Sequence, residues 1–310
     1  MNNYINYYYN LYPTNIYNKP PYFYFDFNNE KYYFVVYERP LPEIKPLFEL
    51  NIAMLNRNLP IHEIILNKDK NPLTFINNVP YILLRINCNE MKKVNISDIN
   101  FLHLYSEGLT VDPLLDRTDW GTLWSQKIDY IEYQFGHIGK KYPLLCECLG
   151  YFIGLGENAI SYINNTKREI PNPIYERITI SHKRIKPDST LFELYNPLNF
   201  IMDYQIRDCA EYIKEKLFAN NDIWPEIQEY FQHNSFSPYS LRLLYSRLLF
   251  PTYFFDQYEL IITNQDDPES LNRIINKVTE YEQFLKDFYR FINVNGNIPP
   301  IEWLNKTNIN

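Results

Sequence analysis

The stretch that most limits how this chain can fold runs from Ile178 to Lys214. Two short apolar runs, Ile178 to Ser181 and Asn199 to Met202, each lead into a titratable residue, His182 and Asp203, with a polar turn between them. Runs of this length and composition read as short strands. The second feeds a helix opened by Arg207 and Asp208 and continued by Cys209-Ala210-Glu211-Tyr212-Ile213-Lys214. Any chemistry the chain performs is looked for first where these strands deliver their ends.

Length and composition bound what surrounds that stretch. At 310 residues the chain can bury a large core, as two lobes of one protein or as two domains. Hydrophobic residues make up 45% and charged residues 22%, the balance of a soluble globular chain. A net charge of −7 without a clustered basic face argues against nucleic acid or an anionic membrane as partner. No apolar run approaches the ~18 residues of a spanning helix, and Met1-Asn2-Asn3-Tyr4 opens without a basic and then apolar leader. The expectation is a cytoplasmic protein with no membrane insertion. Cys88, Cys146, Cys148 and Cys209 are too few and too irregular for a disulfide framework and read as reduced core thiols.

Taken in order, Tyr22 to Phe27 and Tyr32 to Tyr37 alternate or run apolar around Asn28-Asn29-Glu30-Lys31, a hairpin signal. The amino-terminal residues before them read as weak helix or coil. Phe48, Ile52 and Leu55 give Leu47 to Asn58 a helical period, with Glu49 solvated. Ile61 to Leu66, Leu73 to Ile76 and Val79 to Ile86 follow as strands. The pair Ser97-Asp98 caps a helix over Ile99 to Ser106, which Gly108 closes. Trp120, Leu123, Trp124, Ile128, Ile131 and Phe135 keep the 3.6 period before Gly136. Leu144 to Ile163 reads as a nearly all-apolar helix, and Gly154-x-Gly156 within it as close helix packing. Helices over Ile223 to His233, Pro238 to Leu249, Thr252 to Thr263 and Pro268 to Asn293 complete the chain. A strand-rich first third followed by helices predicts an α+β protein with a β-rich domain at residues 1–88 and a helical one at 89–310.

The Ile178 to Lys214 stretch resembles the catalytic core of the kinase-like phosphotransferase fold, aminoglycoside phosphotransferase and choline kinase type. That fold is bilobal, with a small mixed N-lobe and a mostly helical C-lobe. More specifically, Trp120-Gly121-Thr122-Leu123-Trp124, Gly154-Leu155-Gly156-Glu157-Asn158-Ala159-Ile160, Ser181-His182-Lys183-Arg184, Phe200-Ile201-Met202-Asp203 and Arg207-Asp208-Cys209-Ala210-Glu211-Tyr212, in this order, are similar to the YutH branch of the CotS-type spore coat proteins of endospore-forming Firmicutes. The match covers most of the chain. It implies a spore coat-associated role and protein partners, spore coat proteins among them.

Active members of the fold read His-Gly-Asp in the turn after the first strand, the Asp being the catalytic base, with an Asn a few residues on. Here the turn reads His182-Lys183-Arg184 and continues to Ser189, so Arg184 holds the base position and Ser189 that of the Asn. Asp203 stands at the position of the metal-binding Asp, Asp208 can cap its helix, and His182 reads as structural. The eight glycines begin at Gly108, and the strand Tyr33 to Glu38 ends without a Lys, so the Gly-rich phosphate cover and its Lys partner are missing too. Loss of a general base alone typically forfeits ~10²–10⁴ in rate. The expectation is a pseudokinase needing no cofactor, its degenerate motif being His182, Arg184, Asp203 and Asp208. The alternative is an atypical small-molecule phosphotransferase using magnesium and ATP. Lys183, Arg184 and Lys186 would then hold an anion, and Asp203 the metal. His182, Asp203 and Asp208 are expected to converge around one turn.

Overall fold

A computed structural model of the chain describes residues 1–20, 22–171, 176–186, 188–219, 222–294 and 298–305. The amino-terminal residues form a helix, α1 (Asn2–Tyr9), which ends at Asn10 in the left-handed conformation. Strands β1 (Tyr17–Lys19), β2 (Tyr22–Phe27) and β3 (Glu30–Val36) follow, then helix α2 (Ile44–Leu55) and strands β4 (Glu63–Ile65), β5 (Leu73–Ile76) and β6 (Val79–Arg85). The strands form one antiparallel sheet in the order β1-β2-β3-β6-β4, with β5 also paired to β6.

Asparagine makes this sheet possible. A two-residue hairpin turn matched to the twist of its strands needs positive φ at both central residues, which Asn tolerates better than other side-chain-bearing residues. Asn28 and Asn29 (φ 51° and 64°) turn β2 into β3, and Asn77 and Asn78 (φ 49° and 65°) turn β5 into β6. The first hairpin is tighter than the expected four-residue tip, so β3 starts at Glu30.

Alternation along the strands sends Phe25, Tyr32, Phe34, Ile76 and Leu83 to one face, where Ile5 of α1 completes a buried cluster. The other face carries Tyr22, Tyr24, Tyr33, Leu84 and Ile64. Asn51, fully buried in α2, pins that helix beside β4: its amide donates to the His62 carbonyl at 2.8 Å and its oxygen accepts from Ile64 N–H at 3.0 Å.

Helix α3 (Ile96–Ser106) starts three residues earlier than expected, because Asn95 and Asp98 cap each other's backbone in a capping box. Beyond it lie α4 (Trp120–His137), which continues through Gly136, and the 27-residue α5 (Pro143–Glu169). Gly156 sits where a Cβ would meet Ile128 of α4 at 2.7 Å, so its close-packing role holds; Gly154 faces open space. Strands β7 (Ile178–His182) and β8 (Phe200–Tyr204) form a separate pair, with the one-turn helix α6 (Leu191–Leu194) between them. Then come α7 (Ile206–Phe218), α8 (Trp224–His233), α9 (Pro238–Leu249) and α10 (Thr252–Ile262). The single helix expected over Pro268 to Asn293 is instead a 3₁₀ turn (Pro268–Leu271), α11 (Asn272–Ile275) and α12 (Val278–Ile292). The break at Asn276-Lys277 lets Lys277 Nζ donate to the Leu217 carbonyl at 2.7 Å. A short α13 (Glu302–Asn305) closes the described chain. Of the cysteines, Cys88 and Cys209 are buried, Cys148 is half-buried and Cys146 is exposed, so the core-thiol reading applies to two of them.

The chain sorts into two compact units. The first comprises Met1–Asp116, Ile178–Arg184 and Asp188–Asp203; the second Arg117–Arg177, Ile185–Pro187 and Tyr204–Asn310. Residues 1–88 fall wholly in the first unit, and so does most of the β7–β8 pair.

The asparagine turns give a direct test. Left-handed backbone costs an ordinary L-residue about 1–2 kcal/mol, and more for a β-branched one. Asn78→Val should therefore lower unfolding stability by about that amount in urea titration, whereas Asn78→Gly should leave it nearly unchanged.

Candidate functional site

The β7–β8 pair is antiparallel. Lys183 N–H donates to the Asn199 carbonyl at one end and Gln205 N–H to the Arg177 carbonyl at the other, both at 2.9 Å. This register sets His182 opposite Phe200, with ring centroids 5.5 Å apart, and Asp203 opposite Thr179. His182 and Asp203 are thus three positions apart along the ladder, about 10 Å at 3.4 Å per residue, and on opposite faces of the pair. The expectation that both strands deliver these residues to one turn does not hold, because antiparallel strands send their C-terminal ends in opposite directions.

Each residue has a local occupation. His182 is buried, and its Nε2–H donates to the Leu194 carbonyl at 2.8 Å, tying the end of β7 to α6. Asp203 has no exposed surface, and the neighbouring Met202 N–H donates to the Leu115 carbonyl at 2.9 Å. Lys183, Arg184 and Lys186 are exposed, and Arg184 Nη1 donates to the Lys183 carbonyl at 2.8 Å. Pro187 of the same turn lies outside the described residues.

Asp208 and Lys186 belong to the second unit. Asp208 lies in the first turn of α7, fully buried, 3.5 Å from Arg207 Nη1. Arg207, Asp208 and Glu211, charged residues at a helix start, are all three buried. Glu211 pairs with buried Lys214 at 3.1 Å and with Arg247 at 2.6 Å; the Arg247 guanidinium rests 4.8 Å from the Trp120 ring. Lys214 Nζ also donates to the carbonyls of Arg247 and Phe250 and to Thr252 Oγ1. This buried network anchors α7.

Sequence reasoning missed the residues that hold the first unit together. Arg39, three residues past β3, is buried against Glu43, Nε to Oε2 at 2.8 Å, and its Nη1 donates to the carbonyls of Leu198 and Phe200 at 3.0 and 2.7 Å. Glu49 is exposed, as expected. The i,i+4 spacing of Arg39 and Glu43 was a visible signal; their partners some 160 residues on were not. His62, ahead of β4, is fully buried, with its backbone N–H on the Tyr195 carbonyl at 3.0 Å and its Nε2–H on the Phe192 carbonyl at 2.9 Å. The Phe192 ring packs at a tilt against both His62 and Tyr33, with centroids 4.8 and 5.2 Å away.

This geometry is a poor fit to a magnesium nucleotide. A flat base needs about 7 Å between the two surfaces it enters, twice the ~3.5 Å contact distance, and Tyr33 and Phe192 touch. The β1–β2 connection reads Pro20-Pro21, so it offers no N–H groups there to a phosphate. Magnesium usually keeps several waters and takes one or two carboxylates. Asp203 is sealed from solvent, and among the described residues no group of three or more His, Cys, Asp and Glu is placed to hold a metal.

Sheet order, the helix after β3 and the later strand pair define an α+β chain of the kinase-like, aminoglycoside phosphotransferase type. The aminoglycoside phosphotransferase of Alicyclobacillus acidocaldarius superposes with a TM-score of 0.64 at 9% identity, over 91% of this chain and 93% of that one. Spectinomycin phosphotransferase, solved with ADP and spectinomycin, gives 0.55 at 8% identity, over 96% and 94%. A family model described as "Spore coat putative kinase YutH" matches residues 2–288, and the chain belongs to that family. Endospore coat-associated protein YutH of Bacillus subtilis (strain 168) is 30% identical over 211 residues, which span 60% of this chain and 61% of that protein. Among the described residues no helix is long and apolar enough to cross a membrane.

Two stability measurements probe the hidden anchors. Removing one partner of a buried ion pair costs about 3–5 kcal/mol, so Arg39→Ala should fall by that much in chemical denaturation. Arg39→Met combined with Glu43→Leu should recover part of it. Burial pushes the His62 imidazole down from 6.5 to about 4, against the smaller opposing effect of its bond to the Phe192 carbonyl. The unfolded chain therefore takes up the proton first as the pH falls. The contribution of neutral His62 is complete above pH 6.5 and is lost between 6.5 and 4, in all about 3 kcal/mol. Comparing denaturation midpoints across that window should show a steeper fall for wild type than for His62→Gln.

Proposed function

We propose that this chain is a pseudokinase of the endospore coat, a kinase-like scaffold that works through protein partners, coat proteins among them, and neither binds magnesium ATP nor transfers phosphate. One observation carries the reading. The turn after β7 presents exposed Arg184 where the active members that the turn resembles carry the carboxylate that accepts the hydroxyl proton. A guanidinium is permanently charged and has no acceptor, so it cannot take that proton. The sealed Asp203 and the contact of Tyr33 with Phe192 point the same way. The coat association is carried over from the family description and from the name of the Bacillus subtilis relative. The competing reading, an atypical small-molecule phosphotransferase with magnesium on Asp203 and an anion on Lys183, Arg184 and Lys186, draws on the same family description and on the fold.

Thermal unfolding separates the two. A ligand at 100 times its Kd stabilises the native state by about 2.7 kcal/mol, which a melting curve registers easily. Millimolar magnesium ATP should leave the Tm of the full-length protein unchanged, and no ADP should be released on prolonged incubation with small alcohols and amines. A Tm rise that disappears in Asp203→Asn would defeat the pseudokinase reading in favour of the transferase.

A further inference from the structure

Helix α4 carries two seams, and the fold uses one of them. Trp120, Trp124, Ile128 and Ile131 are buried. On the outer side Leu123, Gln126, Tyr130, Tyr133 and His137 are all exposed. Their spacing of three, four, three and four residues is the a/d pattern of a heptad, the period with which one helix seats another along its length. Tyr133 is 69% exposed, Tyr130 47% and Leu123 39%, an aromatic and aliphatic ridge rather than a single stray residue. The ridge is also held in place. Gln134 Nε2 donates to the Tyr130 hydroxyl at 2.5 Å, Lys127 lies 5.9 Å from that ring while pairing with Glu259 of α10, and Tyr133 meets His137 edge-on at 4.6 Å. Side chains already held lose little freedom on contact.

Charge along the helix decides what fits. Asp119, which also meets Lys167 at 2.9 Å, stands exposed before the seam, and Lys140 and Lys141 stand exposed after it. A second α4 laid antiparallel brings the acidic end to the basic end twice about a two-fold axis and opposes the helix dipoles; a parallel one sets like ends together. Charge also chooses the register. With Gln126 against the second copy's Tyr130, the flanks would set Asp129 against the second copy's Asp129 and Lys127 against its Lys127. With Tyr130 against the second copy's Tyr133 and Gln126 against its His137, Asp129 faces Gly136 and Lys127 faces Gln134, and no like charges meet. We propose that the outer seam of α4 is a self-association surface on which two copies of this chain pair antiparallel in that second register. The seam is about 21 Å long at 1.5 Å per residue, and one helix pair falls short of the ~800 Å² per partner of a stable complex. The dimer is therefore weak, with a Kd in the micromolar range or above. The pairing goes beyond the pseudokinase reading and does not rest on it.

The test is sedimentation equilibrium of the full-length protein from micromolar to near-millimolar concentration. Wild type should show a reversible monomer–dimer equilibrium. Tyr133→Glu, checked for native circular dichroism, should stay monomeric throughout, whereas Tyr12→Glu, at a tyrosine 64% exposed in the first unit, should dimerise like wild type. Gly136 has open space where a Cβ would stand, so Gly136→Lys is accommodated and gives Asp129 of each copy a cation to face. Two exposed ion pairs per dimer should tighten it about two- to thirtyfold, and adding Asp129→Asn should remove that gain. A wild type that is monomeric at every concentration would overturn the inference and leave the seam to a helix of another protein. So would a dimer that survives Tyr133→Glu, or one that Gly136→Lys does not tighten. Failure of Tyr133→Glu to fold would overturn it too, since the ring would then be core.

Discussion

A guanidinium has five N–H donors and cannot discard its charge, so burying Arg39 obliges the first unit to surround it with acceptors. Glu43, one helical turn on, provides the carboxylate, and the carbonyls of Leu198 and Phe200 take up Nη1. Those carbonyls lie at the start of β8. Satisfying one charge therefore fixes the distance between the end of β3 and the beginning of the strand pair. With that spacing set, His62 reaches the Phe192 and Tyr195 backbone and Phe192 meets Tyr33. The cation beside the sheet points at main chain.

Main-chain partners recur through the rest of the candidate site. His182 bonds the carbonyl that ends α6, and Asp203 is buried beside main-chain pairing on both sides of its strand. In the second unit Lys214 is spent on Glu211, Thr252 and two carbonyls. Strand pairing and core packing ask nothing of catalytic side chains, so this architecture is held by bonds that do not depend on any chemistry.

Much of this was legible in the sequence, and the failures have physical causes. Local signals did well. The Asn28-Asn29 pair between apolar runs gave the first hairpin, and the order of motifs from Trp120 to Tyr212 pointed to the family. What failed was whatever depends on a partner far along the chain. The relative direction of two five-residue strands is not encoded in either, so the separation of His182 from Asp203 was invisible. The burial of Arg207 and Glu211 was equally hidden, since polar residues at a helix start look solvated until another helix covers them. The break at Asn276-Lys277 depends on the Leu217 carbonyl, some sixty residues earlier.

The division of the chain also bears on how it is made. The first unit is not contiguous: it lacks Ile178–Arg184 and Asp188–Asp203 until the ribosome has also produced Arg117–Arg177. Until then the carbonyls that satisfy Arg39 do not exist, and the sheet waits with a charged group it cannot yet bury. Long-range closure of this kind slows folding and lengthens the time for which apolar surface is exposed. A fragment ending near residue 116 should consequently behave as an aggregation-prone intermediate rather than as a separable domain.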